Sequence, residues 1–234
     1  MIWPFAAGVF TGASAVISLG VFHPRVALFG PQLSRVRTGK PQVALTFDDG
    51  PHPDFTPAVA EKLKQAGFTG TFFCVGEEAE KHPSVVKALV ADGHEIANHT
   101  WSHDTFRHLF SAAPLTEDLR RCQQTLSAIA PAPRWYRPAV GIRNPPVHQA
   151  ARAVGLPVIT WSLAARDGAH PFDEKKALAI ANAAGPGDVI TLHDGVRGKN
   201  GAFRAETVRH LDVLLSRLRE RQLSSVTVSS LAAR

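Results

Sequence analysis

The sequence predicts an α/β fold built on a parallel sheet, and three observations carry that prediction. Short apolar, β-branched or aromatic runs alternate with longer stretches of helical periodicity from Val43 onward. The short runs end in turn-forming or polar residues, which marks them as strands rather than pieces of longer helices. With 44% hydrophobic and 20% charged residues in a chain of 234, one folded domain with a sizeable core is expected, not a disordered chain. Strand–helix alternation implies parallel pairing, because a parallel neighbour needs a crossover connection.

Residues 2–22 carry no charge and are mostly apolar or small, about the length of a membrane span. Trp3 and Pro4 at one end, and His23, Pro24 and Arg25 at the other, have the character of interface residues. A cleaved signal peptide usually carries Lys or Arg ahead of the apolar run, and none is there. An apolar helix packed on the domain is the third reading. Residues 1–25 are expected to be an uncleaved apolar helix that associates with a membrane, which places the protein in the cell envelope. Arg25, Arg35, Arg37 and Lys40 follow, and excess basic charge tends to stay cytoplasmic, but the side of the membrane stays open.

Residues 26–42, punctuated by Pro31 and Pro41, read as a linker, and the domain proper spans 43–234. Strands are expected at 43–47, 71–75, 95–97, 135–136, 157–161, 189–192 and 225–228. Helices are expected at 56–66, 84–91, 116–130, 146–154, 173–184 and 205–222. The last carries Leu211, Leu214, Leu215 and Leu218 on one stripe, which is core packing. Cys74 and Cys122 are too few for a disulfide framework; Cys74 reads as a core thiol, and one bridge between them stays open.

The first strand ends in Thr46-Phe47-Asp48-Asp49-Gly50-Pro51. Adjacent carboxylates repel unless a cation or a proton lies between them. A metal on one and proton transfer by the other would resolve the conflict. His99 and His103 are four residues apart, a spacing that puts both on one face of a helical turn. Two imidazoles with one carboxylate form an open metal site, and that donor set suits zinc. Arg137, Asp167 and the run Leu192-His193-Asp194 all fall near expected strand ends.

In this order these pieces resemble the polysaccharide deacetylase family (carbohydrate esterase family 4, the NodB-homology domain), from about Pro41 to the C-terminus. The resemblance implies an irregular seven-stranded (β/α) barrel of the NodB-homology type, with its chemistry at the C-terminal strand ends. It implies a metal-dependent hydrolase that removes an N-acetyl group from an amino sugar in a glycan or glycolipid. Asp49, His99 and His103 match the family's metal triad; the ion is zinc or, in the family, also cobalt, nickel or manganese. Asp48 matches the catalytic base and Arg137 its ion-pair partner. Val140 corresponds to the backbone donor to the oxyanion, His193 to the general acid and Asp167 to its carboxylate partner. Leu192 is expected to line the pocket for the acetyl methyl.

The family usually has Pro and an aromatic residue where Ala139 and Val140 stand here, and Asp and Trp where Ala164 and Gly168 stand. One wall of a sugar groove is thereby lost, and stacking is expected from Trp101, Trp135, Phe106 or Phe110 instead. His82, His94, His108, His148, His170 and His210 are expected outside the chemistry. A net charge of +6 suits anionic phospholipids or lipid-linked sugar phosphates. The arginines are scattered and no nucleic-acid motif accompanies them. The competing expectation is a glycan-binding module of the same fold without turnover.

Overall fold

The computed structural model describes residues 16–196 and 201–233. Strands are β1 (Gln32–Leu33), β2 (Gln42–Asp48), β3 (Gly70–Cys74), β4 (Glu95–Asn98), β5 (Val158–Ile159), β6 (Leu163–Ala164), β7 (Val189–His193) and β8 (Ser224–Ser225). Residues 16–22 form helix α1. It is followed by α2 (Phe55–Ala66), α3 (Gly76–Lys81), α4 (Pro83–Ala91), α5 (Thr105–Phe110), α6 (Ala112–Ser127), α7 (Pro145–Ala153), α8 (Glu174–Ala183), α9 (Gly201–Glu220) and α10 (Val228–Ala232).

The main sheet runs β4-β3-β2-β7-β6, with β8 also paired to β2. Every ladder is parallel, so the strands deliver their C-terminal ends to one rim of the sheet. The register puts Asp48 opposite Phe73 on one side and opposite His193 on the other. The central strands are buried on both faces, and alternate side chains enter different sides of the sheet. Leu45, Phe47, Ile190 and Leu192 enter the main core, where Leu211, Leu214, Leu215 and Leu218 of α9 cover them. Phe47 stacks on Phe72 with ring centroids 5.0 Å apart.

The expected single barrel is not a continuous ladder among the described residues. The strands form the six-stranded sheet and a separate β1–β5 pair, and isolated bridges from Tyr136 to Asn98 and Val158 join them. The segment 135–136 makes only bridges because Pro133 and Pro138 flank it and lack the N–H a ladder needs. Residues 26–42, expected as a linker, pack on the domain. The Val36 amide donates to the Gly187 carbonyl at 2.8 Å, and Arg35 pairs with Asp188 at 3.2 Å. Most of the expected apolar anchor lies outside the described residues. Among those described, no helix is long and apolar enough to cross a membrane. Cys74 and Cys122 are free, buried thiols.

Candidate active site

At the end of β2 the backbone of Asp49 turns to φ 74°, in the left-handed region. The turn sends the two neighbouring carboxylates to different partners. Asp48 is buried and accepts from Arg137 Nη1 at 2.7 Å and from the Thr191 hydroxyl at 3.3 Å. Arg137 is itself fully buried. It donates further to the Thr46 hydroxyl at 2.8 Å and the Thr160 carbonyl at 3.0 Å, with its guanidinium 4.0 Å over the Phe73 ring. Burial pulls the Arg137 pKa down, while the Asp48 charge opposes that pull. Behind the turn, the amides of Asp194 and Gly195 donate to the Asp48 carbonyl. Burial, aided by the Asp49 and Asp48 charges, lifts the Asp194 carboxyl to about 7, and the Thr56 hydroxyl donates to it.

Asp49 faces two imidazoles: its Oδ1 is 3.2 Å from His103 Nε2 and 3.6 Å from His99 Nε2. Burial pushes the Asp49 carboxyl up. The His99 hydrogen bond and the charges of His193, His99 and His103 outweigh it and hold the group well below the usual carboxylate range. The donor atoms of Asp49, His99 and His103 lie within 4.8 Å of one another. His99 Nδ1 lies 2.8 Å from the Arg137 carbonyl, an acceptor only, so Nδ1 carries a proton and a bound cation would meet the Nε2 lone pair. A convergent carboxylate and two imidazoles, with one tautomer fixed from behind, fit a divalent cation.

The two histidines do not share a helical turn, as their spacing suggested. Residues 99–104 form a loop in which Thr100 and His103 stand at φ 71° and 55°. Its amides bond to side chains rather than to a helix ladder. Thr100 N donates to Asn98 Oδ1 at 2.9 Å, and His103 N to the Thr100 hydroxyl at 3.0 Å. Trp101 N and Ser102 N donate to the Asp118 carboxylate on α6.

At the end of β7, His193 Nδ1 lies 2.8 Å from Asp167 Oδ1. Burial lowers the His193 pKa, but the Asp167 charge and hydrogen bond, with Asp49 and Asp48 nearby, raise it to about 9. Asp167 is held low by the same pairing against its own burial. Arg204 and Thr207 of α9 complete its environment, bonding to Asp167 Oδ2 at 2.8 and 2.9 Å. Sequence reading missed both, because a buried arginine on a helix stripe gives no motif.

Asp48, Asp49, His99, His103, Val140 and His193 line one cavity of about 420 Å³, with Arg137 and Asp167 directly behind them. Val140 stands at φ 46° on its lip. Two expected substrate contacts are corrected. Trp101 is buried against Gly76 beneath Arg121, whose guanidinium is 3.7 Å from its ring, and it does not line the cavity. Leu192 points to the core because strand alternation gives the cavity Thr191 and His193 instead. Nor do Trp135, Phe106 and Phe110 reach the cavity. The aromatic wall is Trp161, with Arg166 and His170 near it. Trp161 lies so close to Gly141 that a Cβ there would come within 2.3 Å of the indole. The glycine two residues past Ala139 was the only sequence signal for that contact.

A carboxylate and an imidazole on neighbouring strand ends, in one cavity with a carboxylate–imidazole donor set, make a site of the hydrolase type on a parallel α/β scaffold. The polysaccharide deacetylase profile matches residues 35–159. A peptidoglycan-N-acetylglucosamine deacetylase of Bacillus cereus is 34% identical over 191 residues, 81% of this chain and 87% of that one. A chitooligosaccharide deacetylase of Sinorhizobium fredii is 34% identical over 197 residues, 80% of this chain and 90% of that one. The crystal structure of a peptidoglycan N-acetylglucosamine deacetylase in complex with 4-naphthalen-1-yl-N-oxidanyl-benzamide superposes with a TM-score of 0.74 at 30% identity, covering 86% of this chain and 92% of that one. The chain belongs to the polysaccharide deacetylase family, carbohydrate esterase family 4, and is a deacetylase of that family.

Proposed function

We propose that this chain is a metal-dependent hydrolase that removes an N-acetyl group from an amino sugar in a glycan or a lipid-linked sugar. The observation that carries the proposal is the meeting of the Asp49–His99–His103 donors with Asp48 and His193 in one cavity. Asp49, His99 and His103 would hold a divalent cation, for which zinc suits the donor set best. Such an ion, when bound, polarises a carbonyl and lowers the pKa of a nearby water.

The chain's own groups divide the proton work. Asp48, aimed by its hydrogen bond from Arg137, takes a proton from the attacking water. The Val140 amide donates to the oxygen that gains charge as the carbonyl is attacked. His193, protonated through Asp167, gives its proton to the departing amine. Trp161 offers the face on which a sugar ring stacks. The same proposal takes the six-stranded sheet and the β1–β5 pair, joined at Tyr136, as one irregular barrel. It also takes residues 2–22 as the part of the chain that associates with the cell-envelope membrane.

The test is acetate release from a panel of N-acetylated glycans and lipid-linked amino sugars by metal-loaded protein. Release is expected to stop with a chelator and return with zinc. A panel giving no acetate under metal loading would refute hydrolysis. It would favour a glycan-binding module, the reading towards which the small wall residues Ala164 and Gly168 lean.

A further inference from the structure

Among the described residues, large apolar side chains stand exposed on three segments only: α1 with the following Leu28, α5, and the turn carrying Val140. Phe106 and Phe110 of α5 are 74% and 76% exposed and meet edge-on at 5.6 Å. They form an aromatic pair that the described residues leave open. Burying a phenylalanine side chain is strongly favourable, so two left open beside other exposed apolar groups mark a surface made to be covered.

The three segments are fastened to one another. Arg143 is 1% exposed, and the partners of its side chain are backbone carbonyls: Gly141 at 2.9 Å, Val21 at 2.8 Å and His23 at 2.6 Å. The next residue, Asn144, donates to the Leu109 carbonyl of α5 at 2.8 Å. A buried cation and its neighbour thus clamp the end of α1, the Val140 turn and α5 into one face. Val140 belongs both to that face and to the lip of the catalytic cavity.

We infer that this face is a lipid-docking surface: Phe106, Phe110 and the outer side of α1 enter the acyl boundary of an anionic bilayer, with the cavity mouth held at headgroup level. The inference rests on the membrane reading given above and adds that the folded rim itself, apart from residues 2–22, touches lipid. Three observations choose a bilayer over another occupant. The fifteen residues preceding α1 carry no charged side chain, so the apolar character of the face continues into the chain that leads to it. The exposed Arg25 and Arg166, within a net charge of +6, suit anionic headgroups. A second protein seated on the face would stand over Val140 and obstruct the mouth, whereas a bilayer delivers an amphiphilic sugar to it.

The test uses the full-length protein with Phe110→Cys labelled by an environment-sensitive fluorophore; Cys74 and Cys122 are buried and do not compete. Adding vesicles of phosphatidylcholine and phosphatidylglycerol is expected to blue-shift the label and expose it to a lipid-phase quencher. Turnover plays no part in that readout, so it stands apart from the hydrolase reading. An unshifted label on protein that co-floats with the vesicles would overturn the inference, leaving residues 2–22 as the sole contact. A blue shift that appears without vesicles and grows with protein concentration would also overturn it, in favour of self-association. In a second arm, F106S/F110S is expected to keep its rate on a soluble N-acetylated oligosaccharide. It should lose roughly tenfold or more on a vesicle-borne amino sugar. Equal loss on both substrates would count against the surface.

Discussion

At Asp49 a single left-handed residue separates two carboxylates that would otherwise repel, and each then finds its own counter-charge. The separation makes the two roles independently testable. Asp48→Asn keeps the shape that Arg137 and Thr191 recognise but removes the proton acceptor. Turnover is expected to fall by about 100-fold or more, while calorimetry finds divalent binding unchanged. A variant that still turns over at the parent rate would remove Asp48 from the role of base. His193 carries a second residue-scale prediction. Its pKa is raised to about 9, above the ordinary histidine value, so it holds its proton below that pH and loses it above. The alkaline limb of the rate profile follows from that loss. The pairing with Asp167 likewise contributes stability that is full below the ordinary histidine pKa and vanishes as pH rises through about 9. Asp167→Asn removes the largest charge that raises the pKa and leaves burial, which lowers it, opposed only by Asp49 and Asp48. The imidazole is then expected to titrate at a lower pH than in the parent in an ¹⁵N NMR titration, and the alkaline limb to move acidward by roughly one unit or more.

The elements explain why some of this was legible in the sequence and some was not. Strand β2 and the leucine stripe of α9 were readable because a short continuous apolar run and a period-3.6 stripe are local signals. The acidic pair at the end of β2 was readable for the same reason. The 99–104 loop was not, because its conformation is imposed from α6: the Asp118 carboxylate accepts two loop amides that a helical turn would have used itself. The three donors therefore meet through a backbone other than the one the spacing suggested. That dependence makes Asp118→Ala informative, since residue 118 touches no reacting group. Two part-buried amides lose their acceptor and His99 and His103 lose their fixed spacing. Divalent affinity is expected to weaken by about 10–100-fold by calorimetry, the usual scale for a group that orients ligands from behind. Unchanged affinity would mean that the loop holds its shape without α6. Leu192 failed for the opposite reason: its motif neighbourhood was right, but strand alternation gave the cavity to Thr191.

At the scale of the molecule, the cavity joins parts of the chain that are far apart in sequence. Asp49 comes from the end of β2, and His99 and His103 from the loop after β4, two strands away across the sheet. The walls were the least legible part, because Trp161 reaches its place only through close packing on Gly141, a contact of the folded state. A cation held by Asp49, His99 and His103 would cross-link two strand ends of the main sheet, and an ion that binds only the folded chain stabilises it by mass action. At a free concentration of one hundred times Kd the gain is about 2.7 kcal/mol, which for a domain of this size raises Tm by roughly 5–10 °C. Differential scanning fluorimetry with and without a chelator measures it directly. Asp49→Asn is expected to abolish most of the rise and Asp48→Asn to retain it, because only the first contributes a donor atom to the cluster. Equal loss in both variants would mean that the two carboxylates share one ion, contrary to the division of partners that the Asp49 turn creates.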